Sequence, residues 1–107
     1  MSIKIGIAGY GSWGKRHFES WKKVSNVEIV GIYDPAYQGE PYFSSLKELI
    51  QSVEALDVVV PAQSLADVGA QAIEAGRHVF LEKPVATSIE EAKRLARLAQ
   101  ANPKCLS

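Results

Sequence analysis

Short apolar, β-branched runs alternate along this chain with stretches whose apolar residues recur at helical spacing. Ser2–Ala8 (SIKIGIA) reads as a strand and Val27–Tyr33 (VEIVGIY) as a second. Tyr42–Phe43 reads as a very short third, Asp57–Val60 (DVVV) as a fourth and His78–Leu81 (HVFL) as a fifth. The runs are nearly continuous in apolar character, which suits strands covered on both faces. Between them lie helix signals. Ser45-Leu-Lys-Glu48 and Ser88-Ile-Glu-Glu91 match a capping box, in which Ser and Glu satisfy exposed amide hydrogens reciprocally. Ser64-Leu-Ala-Asp67 is a looser version, because Asp reaches back less well. Gly76 follows a helix expected to end at Ala75 and predicts a left-handed cap there. In the last helix Ile89, Ala92, Leu95, Ala96 and Ala99 form an apolar stripe, while Lys93, Arg94 and Arg97 read as a solvated face.

Strand–helix alternation of this kind implies right-handed crossovers. The fold class that follows is α/β, a doubly wound parallel sheet between helical layers. The 107 residues suit one domain, 1–107, with a real core. The tail Lys104–Ser107, after the helix stop Asn102-Pro103, reads as the first residues of one more strand. The domain is therefore expected to be truncated there.

Composition narrows the partners. Twelve basic and 12 acidic residues give a formal net charge of zero, which removes the electrostatic case for nucleic acid or an anionic membrane as main partner. No apolar run approaches the ~20 residues that span a bilayer. The start, MSIKIGIAGYG, lacks a signal-peptide pattern. A cytoplasmic setting is the expectation, and the single Cys105 is compatible with it. Cys105, His17 and His78 are too scattered to suggest a zinc site.

The chemistry begins at Gly9-Tyr10-Gly11-Ser12-Trp13-Gly14, directly after the first strand and opening a helix near Trp13. In that position each glycine has a mechanical task. Gly9 permits the tight turn, Gly11 lets a pyrophosphate approach the backbone, and Gly14 lets the helix pack closely. Amide hydrogens at the helix start then face the phosphates. Asp34 lies 20 residues beyond Gly14, at the end of the second strand. A carboxylate there accepts hydrogen bonds from the adenosine ribose and repels a 2′-phosphate, which favours NAD over NADP. The plainer reading is that Asp34-Pro35 starts a turn. Trp13 reads either as core packing or as a side chain leaning over the pyrophosphate. Lys15, Arg16 and His17 read as helix-surface residues.

The second segment is His78–Ser88, HVFLEKPVATS, where Glu82, Lys83 and Pro84 stand together as a strand ends. Read alone, Lys83 is a solvated loop lysine and Pro84 a strand stop. With IGIAGYGSWGKRH at the N-terminus, Asp34, and EAGRHVFLEKPVATSIEEA from Glu74 to Ala92, the chain resembles the glucose–fructose oxidoreductase and inositol dehydrogenase (Gfo/Idh/MocA) family. The resemblance covers essentially the whole chain. It implies the N-terminal NAD(P)-binding Rossmann domain, a three-layer αβα fold of strand order 3-2-1-4-5 with a sixth-strand stub. It also implies that the family's second, substrate-binding domain is lacking.

By the same resemblance, Lys83 is the catalytic candidate, pointing at the substrate hydroxyl and stabilising charge during hydride transfer. Glu82 lies near the cofactor or orients Lys83, and the Lys83–Pro84 bond is cis. After the fourth strand the family often carries Thr-Pro-Asn, with a histidine three residues beyond the Asn. Here Pro61 is kept, but Val60, Ala62 and Leu65 stand in the other places, leaving Gln63 or Ser64 to compensate. The cofactor-binding candidates are thus Gly9, Tyr10, Gly11, Ser12, Trp13, Gly14, Asp34, Pro61, Gln63, Glu82 and Lys83.

The implied function is the dinucleotide-binding half of an oxidoreductase acting on a sugar, polyol or similar molecule, catalytically incomplete as 107 residues. A stand-alone NAD(H)-binding regulatory module is the alternative. A nucleotide-independent interaction domain ranks last, since the glycines and Asp34 are intact. Without a following strand and domain, an uncovered edge predicts self-association.

Overall fold

The apolar runs and helical patterns take shape in chain order. The computed structural model describes residues 2–81 together with 93, 94, 96 and 97. Strand β1 (Ile3–Ala8) leads through α1 (Ser12–Lys22) to β2 (Val27–Tyr33). Then come α2 (Leu46–Ser52), β3 (Ala55–Val58), α3 (Ala62–Glu74) and β4 (His78–Leu81). The four strands pair in parallel in the order β2-β1-β3-β4. Tyr42 adds one parallel bridge to Ile32, on the side of β2 away from β1. Counting 42–43 as the third run, this is the expected 3-2-1-4-5 order. The third member shrinks to a bridge because the chain enters α2 almost at once. Ser45 caps that helix, its Oγ accepting from the Glu48 N–H at 3.0 Å, an arrangement that stabilises a helix by ~1 kcal/mol.

Two boundaries differ from expectation. β3 runs from Ala55 to Val58, two residues before the expected Asp57–Val60. Its ladder partners on β1 are Ile5 to Ala8; Val59 N–H still reaches the Ala8 carbonyl at 2.7 Å, and β1 ends there. The looser capping box at Ser64–Asp67 does not start a helix, because α3 begins earlier, with Pro61 as N-cap. The proline ring fixes φ at −55° and its carbonyl accepts from Ser64 N–H at 2.8 Å, so Ser64 lies inside the first turn. At the other end Gly76 takes φ +76°, the left-handed cap that was expected.

The Ser88–Glu91 box and the strand stub at Lys104–Ser107 lie outside the described residues. So does most of the last apolar stripe. Lys93, Arg94, Ala96 and Arg97 are helical and exposed, and Arg94 meets Glu74 at 3.6 Å. Ala96, expected on the apolar side, is exposed with the basic residues.

Alternation along the strands sets the layers. Gly6 faces α2, where a Cβ would come within 2.7 Å of Leu49 Cδ1, so Ile5 and Ile7 point to the opposite side. Leu49, Val53, Leu56, Val58, Leu65, Ile73 and Val79 form the main core between the sheet and α2 with α3. Each such buried side chain stabilises the fold by ~1.5–3 kcal/mol. α1 covers the other face of β1 and β2, giving three layers. No helix among the described residues is long and apolar enough to cross a membrane.

Candidate dinucleotide-binding site

In a parallel sheet whose chain leaves the central strand in opposite directions, a crevice opens at the carboxyl ends of the strands. Here that crevice lies beyond Ala8, between β2 and β3. A cavity of about 840 Å³ fills it. The loop supplies Gly9, Gly11, Ser12, Trp13 and Gly14 to its wall. Tyr33, Asp34 and Pro35 close the β2 side, and Val59, Val60, Pro61, Ser64 and Val68 the β3–α3 side.

The three loop glycines are needed for three different reasons. Gly9 takes φ +102°, and a Cβ there would collide with the Val59 carbonyl oxygen. A Cβ on Gly14 would collide with the Gly9 carbonyl oxygen, so Gly14 lets α1 close against the turn. Gly11 is the opposite case: a Cβ would meet nothing within 4 Å. Its bareness leaves open space in front of the first turn of α1. That turn has no side-chain cap, and Lys15 N–H is already bonded back to the Gly11 carbonyl at 2.9 Å. The amide hydrogens ahead of Lys15 are the helix's unsatisfied donors, and they stand at the positive end of its dipole. An open cradle, free donors and a roomy cavity fit a pyrophosphate.

Asp34 makes the turn expected of Asp34-Pro35 and also braces the glycine loop. Its Oδ1 accepts from Ala36 N–H at 2.8 Å, which makes the turn after β2. Its Oδ2 accepts from Tyr10 N–H at 2.7 Å and ties the glycine loop to that strand end. The carboxylate lines the cavity and, with about four acceptor sites, keeps capacity for a ribose hydroxyl.

Tyr10 contributes differently from expectation. Its N–H is taken by Asp34, and its ring packs outside the cavity walls. It stands edge-on to Phe18 at 6.0 Å, Tyr37 at 5.5 Å and Tyr42 at 5.7 Å. Lys15 Nζ lies 5.7 Å from the Tyr10 ring centre, a helix-surface role. Trp13 is not in the core but 62% exposed at the cavity. Gln63 is exposed and off the cavity wall, whereas Ser64 is on it. Val60 lines the cavity with a hydrocarbon side chain, and Leu65 is buried in the core. Glu82, Lys83 and Pro84 lie outside the described residues.

One cluster escaped the sequence reading. Asp57 is the buried charged residue on β3, and its Oδ2 meets His17 Nδ1 at 2.7 Å and Trp21 Nε1–H at 2.8 Å. The signal was an acid within the run ALDVVV, since a buried carboxylate requires donors. His17 and Trp21, one turn apart on α1, supply the contacts and fasten that helix to the middle of the sheet. Among the described residues no His, Cys, Asp or Glu cluster suits a metal ion.

A doubly wound parallel sheet, a bare glycine loop at its switch point and an acid ending the second strand define a dinucleotide-binding domain. The chain belongs to the oxidoreductase family with an NAD-binding Rossmann fold (GFO_IDH_MocA), which it matches over residues 3–107. It is 34% identical over 106 residues to the glucose-6-phosphate 3-dehydrogenase of Bacillus subtilis, covering 91% of this chain and 30% of that protein. To the inositol 2-dehydrogenase of Salmonella typhimurium it is 29% identical over 119 residues, covering 97% of this chain and 35% of the relative. The crystal structure of an NAD-binding protein from Listeria innocua superposes with a TM-score of 0.86 at 26% identity, over 98% of this chain and 34% of that one. The chain thus spans about a third of the length of the relatives it matches.

Proposed function

We propose that this chain binds NAD(H) as the cofactor half of an oxidoreductase. The whole enzyme would transfer hydride between the nicotinamide and a hydroxyl or carbonyl of a sugar, polyol or similar small molecule. The observation that carries this reading is the open Gly11 cradle before an uncapped α1, facing Asp34 across one cavity. The cofactor, when bound, supplies the redox chemistry; the protein supplies position and electrostatics. Ser12, Trp13 and Gly14 offer backbone donors to the pyrophosphate. Asp34 accepts from the adenosine ribose, and its negative charge favours NAD over NADP. The names of the two curated relatives support a sugar or polyol substrate.

Lys83 is the proposed catalytic residue, with Glu82 beside it. Support comes from β4, whose last residue Leu81 pairs with Val58 at the sheet end that bears the cavity. Lys83 follows two residues later. The proposed setting is cytoplasmic. Self-association is proposed for the 107-residue chain, because Phe80 on β4 is 41% exposed and, among the described residues, no strand pairs with the outer side of β4. Sedimentation should give a mass that rises with concentration; a constant monomer would rule this out.

The test of the main reading is a titration with NADH and NADPH, followed by energy transfer from tryptophan to the reduced nicotinamide, with Gly11→Val as control. Saturable binding, tighter for NADH and lost in the variant, is expected. Tighter NADPH binding would reverse the preference, and no binding of either would sink the reading.

A further inference from the structure

Trp13, His17 and Trp21 stand four residues apart on α1 and so share one face of it. The lower two fix where that face looks. His17 and Trp21 both reach Asp57 on β3, and the Trp21 ring lies edge-on to Phe80 of β4 with centres 5.4 Å apart. The row therefore turns toward β3 and β4, away from Asp34 at the end of β2. Trp13 heads it at the end of α1 that opens onto the cavity.

A single exposed apolar residue needs no explanation in general. Trp13 differs in two respects. It lines the cavity while 62% exposed, and its ring is held: the Arg16 guanidinium lies 4.8 Å from its centroid. A stacked guanidinium orients an indole without covering it. An aromatic surface is thereby presented to the half of the groove that Asp34 does not serve.

We propose that Trp13, oriented by Arg16, is a specificity-determining residue that stacks on the nicotinamide riboside half of the bound dinucleotide. This rests on the dinucleotide reading above. With Asp34 engaging the adenosine side, the two ends of the ligand are recognised by opposite means, hydrogen bonding at one and ring stacking at the other.

Calorimetric titration of the 107-residue chain with ADP, ADP-ribose and NADH tests this. Trp13→Ala should weaken NADH about tenfold, the ~1.4 kcal/mol expected of one stacked ring. The same variant should leave ADP within about twofold, because it spares the loop amides and Asp34. Trp13→Phe should recover most of the NADH affinity, and Arg16→Gln should fall between. Equal losses for ADP and NADH would overturn the proposal, because Trp13 would then act on the phosphate loop. No loss for either, or native binding of NADH no tighter than ADP-ribose, would overturn it as well while leaving the dinucleotide reading intact. Failure of the native chain to bind even ADP would instead remove that reading and the stacking with it. Because Trp13 is exposed, unchanged thermal unfolding of the variants is the expected control.

Discussion

The two walls of the groove are built on different plans. On the β2 side the polar group is already committed: Asp34 holds Tyr10 N–H at 2.7 Å and Ala36 N–H at 2.8 Å. Behind it Tyr37 and Tyr42 stack at 4.9 Å, with Tyr10 wedged edge-on against both. On the β3 side the wall is mostly hydrocarbon, from Val59, Val60, Pro61 and Val68, with the Ser64 hydroxyl as a polar exception. One wall has its geometry set before any ligand arrives. The other offers shape and dryness and relies for polar recognition on residues beyond the strand ends. Affinity for the adenosine half should thus rest on hydrogen bonding, and recognition of the nicotinamide half on the apolar wall and the Trp13 ring.

The strongest way to break this contrast is to fill the cradle common to both walls. Gly11→Val should abolish dinucleotide binding by calorimetry. Its Cβ meets nothing in the folded chain, so stability by urea unfolding should stay within ~0.5 kcal/mol, as for a surface change. Gly9→Ala would make the opposite pair of observations. Positive φ and the collision with Val59 should destabilise the fold by ~1–3 kcal/mol, so binding would fall with the fold. Next comes the preset wall. Asp34→Ala should weaken NADH at least tenfold and also reduce stability by ~1–2 kcal/mol, because two backbone donors lose their acceptor. A loss of affinity with no loss of stability would mean that the loop tie is idle. The smallest effect sharpens the comparison from the other side. Val60→Thr puts a hydroxyl on the hydrocarbon wall and should tighten NADH a few-fold while leaving ADP unchanged.

Much of this was legible in the sequence, for reasons that are local. The glycine loop, the capped start of α2 at Ser45 and the left-handed Gly76 each rest on backbone requirements within a few residues. The parallel α/β class followed from the alternation of elements, and the strand order from the resemblance to the family's Rossmann domain. What escaped depended on contacts distant in the chain. The end of β3 at Val58 was set by the reach of β1, and the start of α3 by Pro61 acting before Ser64. Asp57 looked like one polar letter in an apolar run, and its partners His17 and Trp21 lie 40 and 36 residues away. Tyr10 sits in the motif, but its ring turns to Phe18, Tyr37 and Tyr42, which only the folded chain brings together.

The Asp57 contacts divide α1 into two mechanical parts. Its middle is pinned to the sheet through His17 and Trp21, while its first turn ends in donors with no side-chain cap. Amide hydrogens below the pin should exchange with solvent slowly, and those of the first turn rapidly. An anion seated on that turn would slow them, extending protection upward from the pin until the helix behaves as one rigid rod. The helix then acts as a gauge of occupancy, read residue by residue in exchange rates.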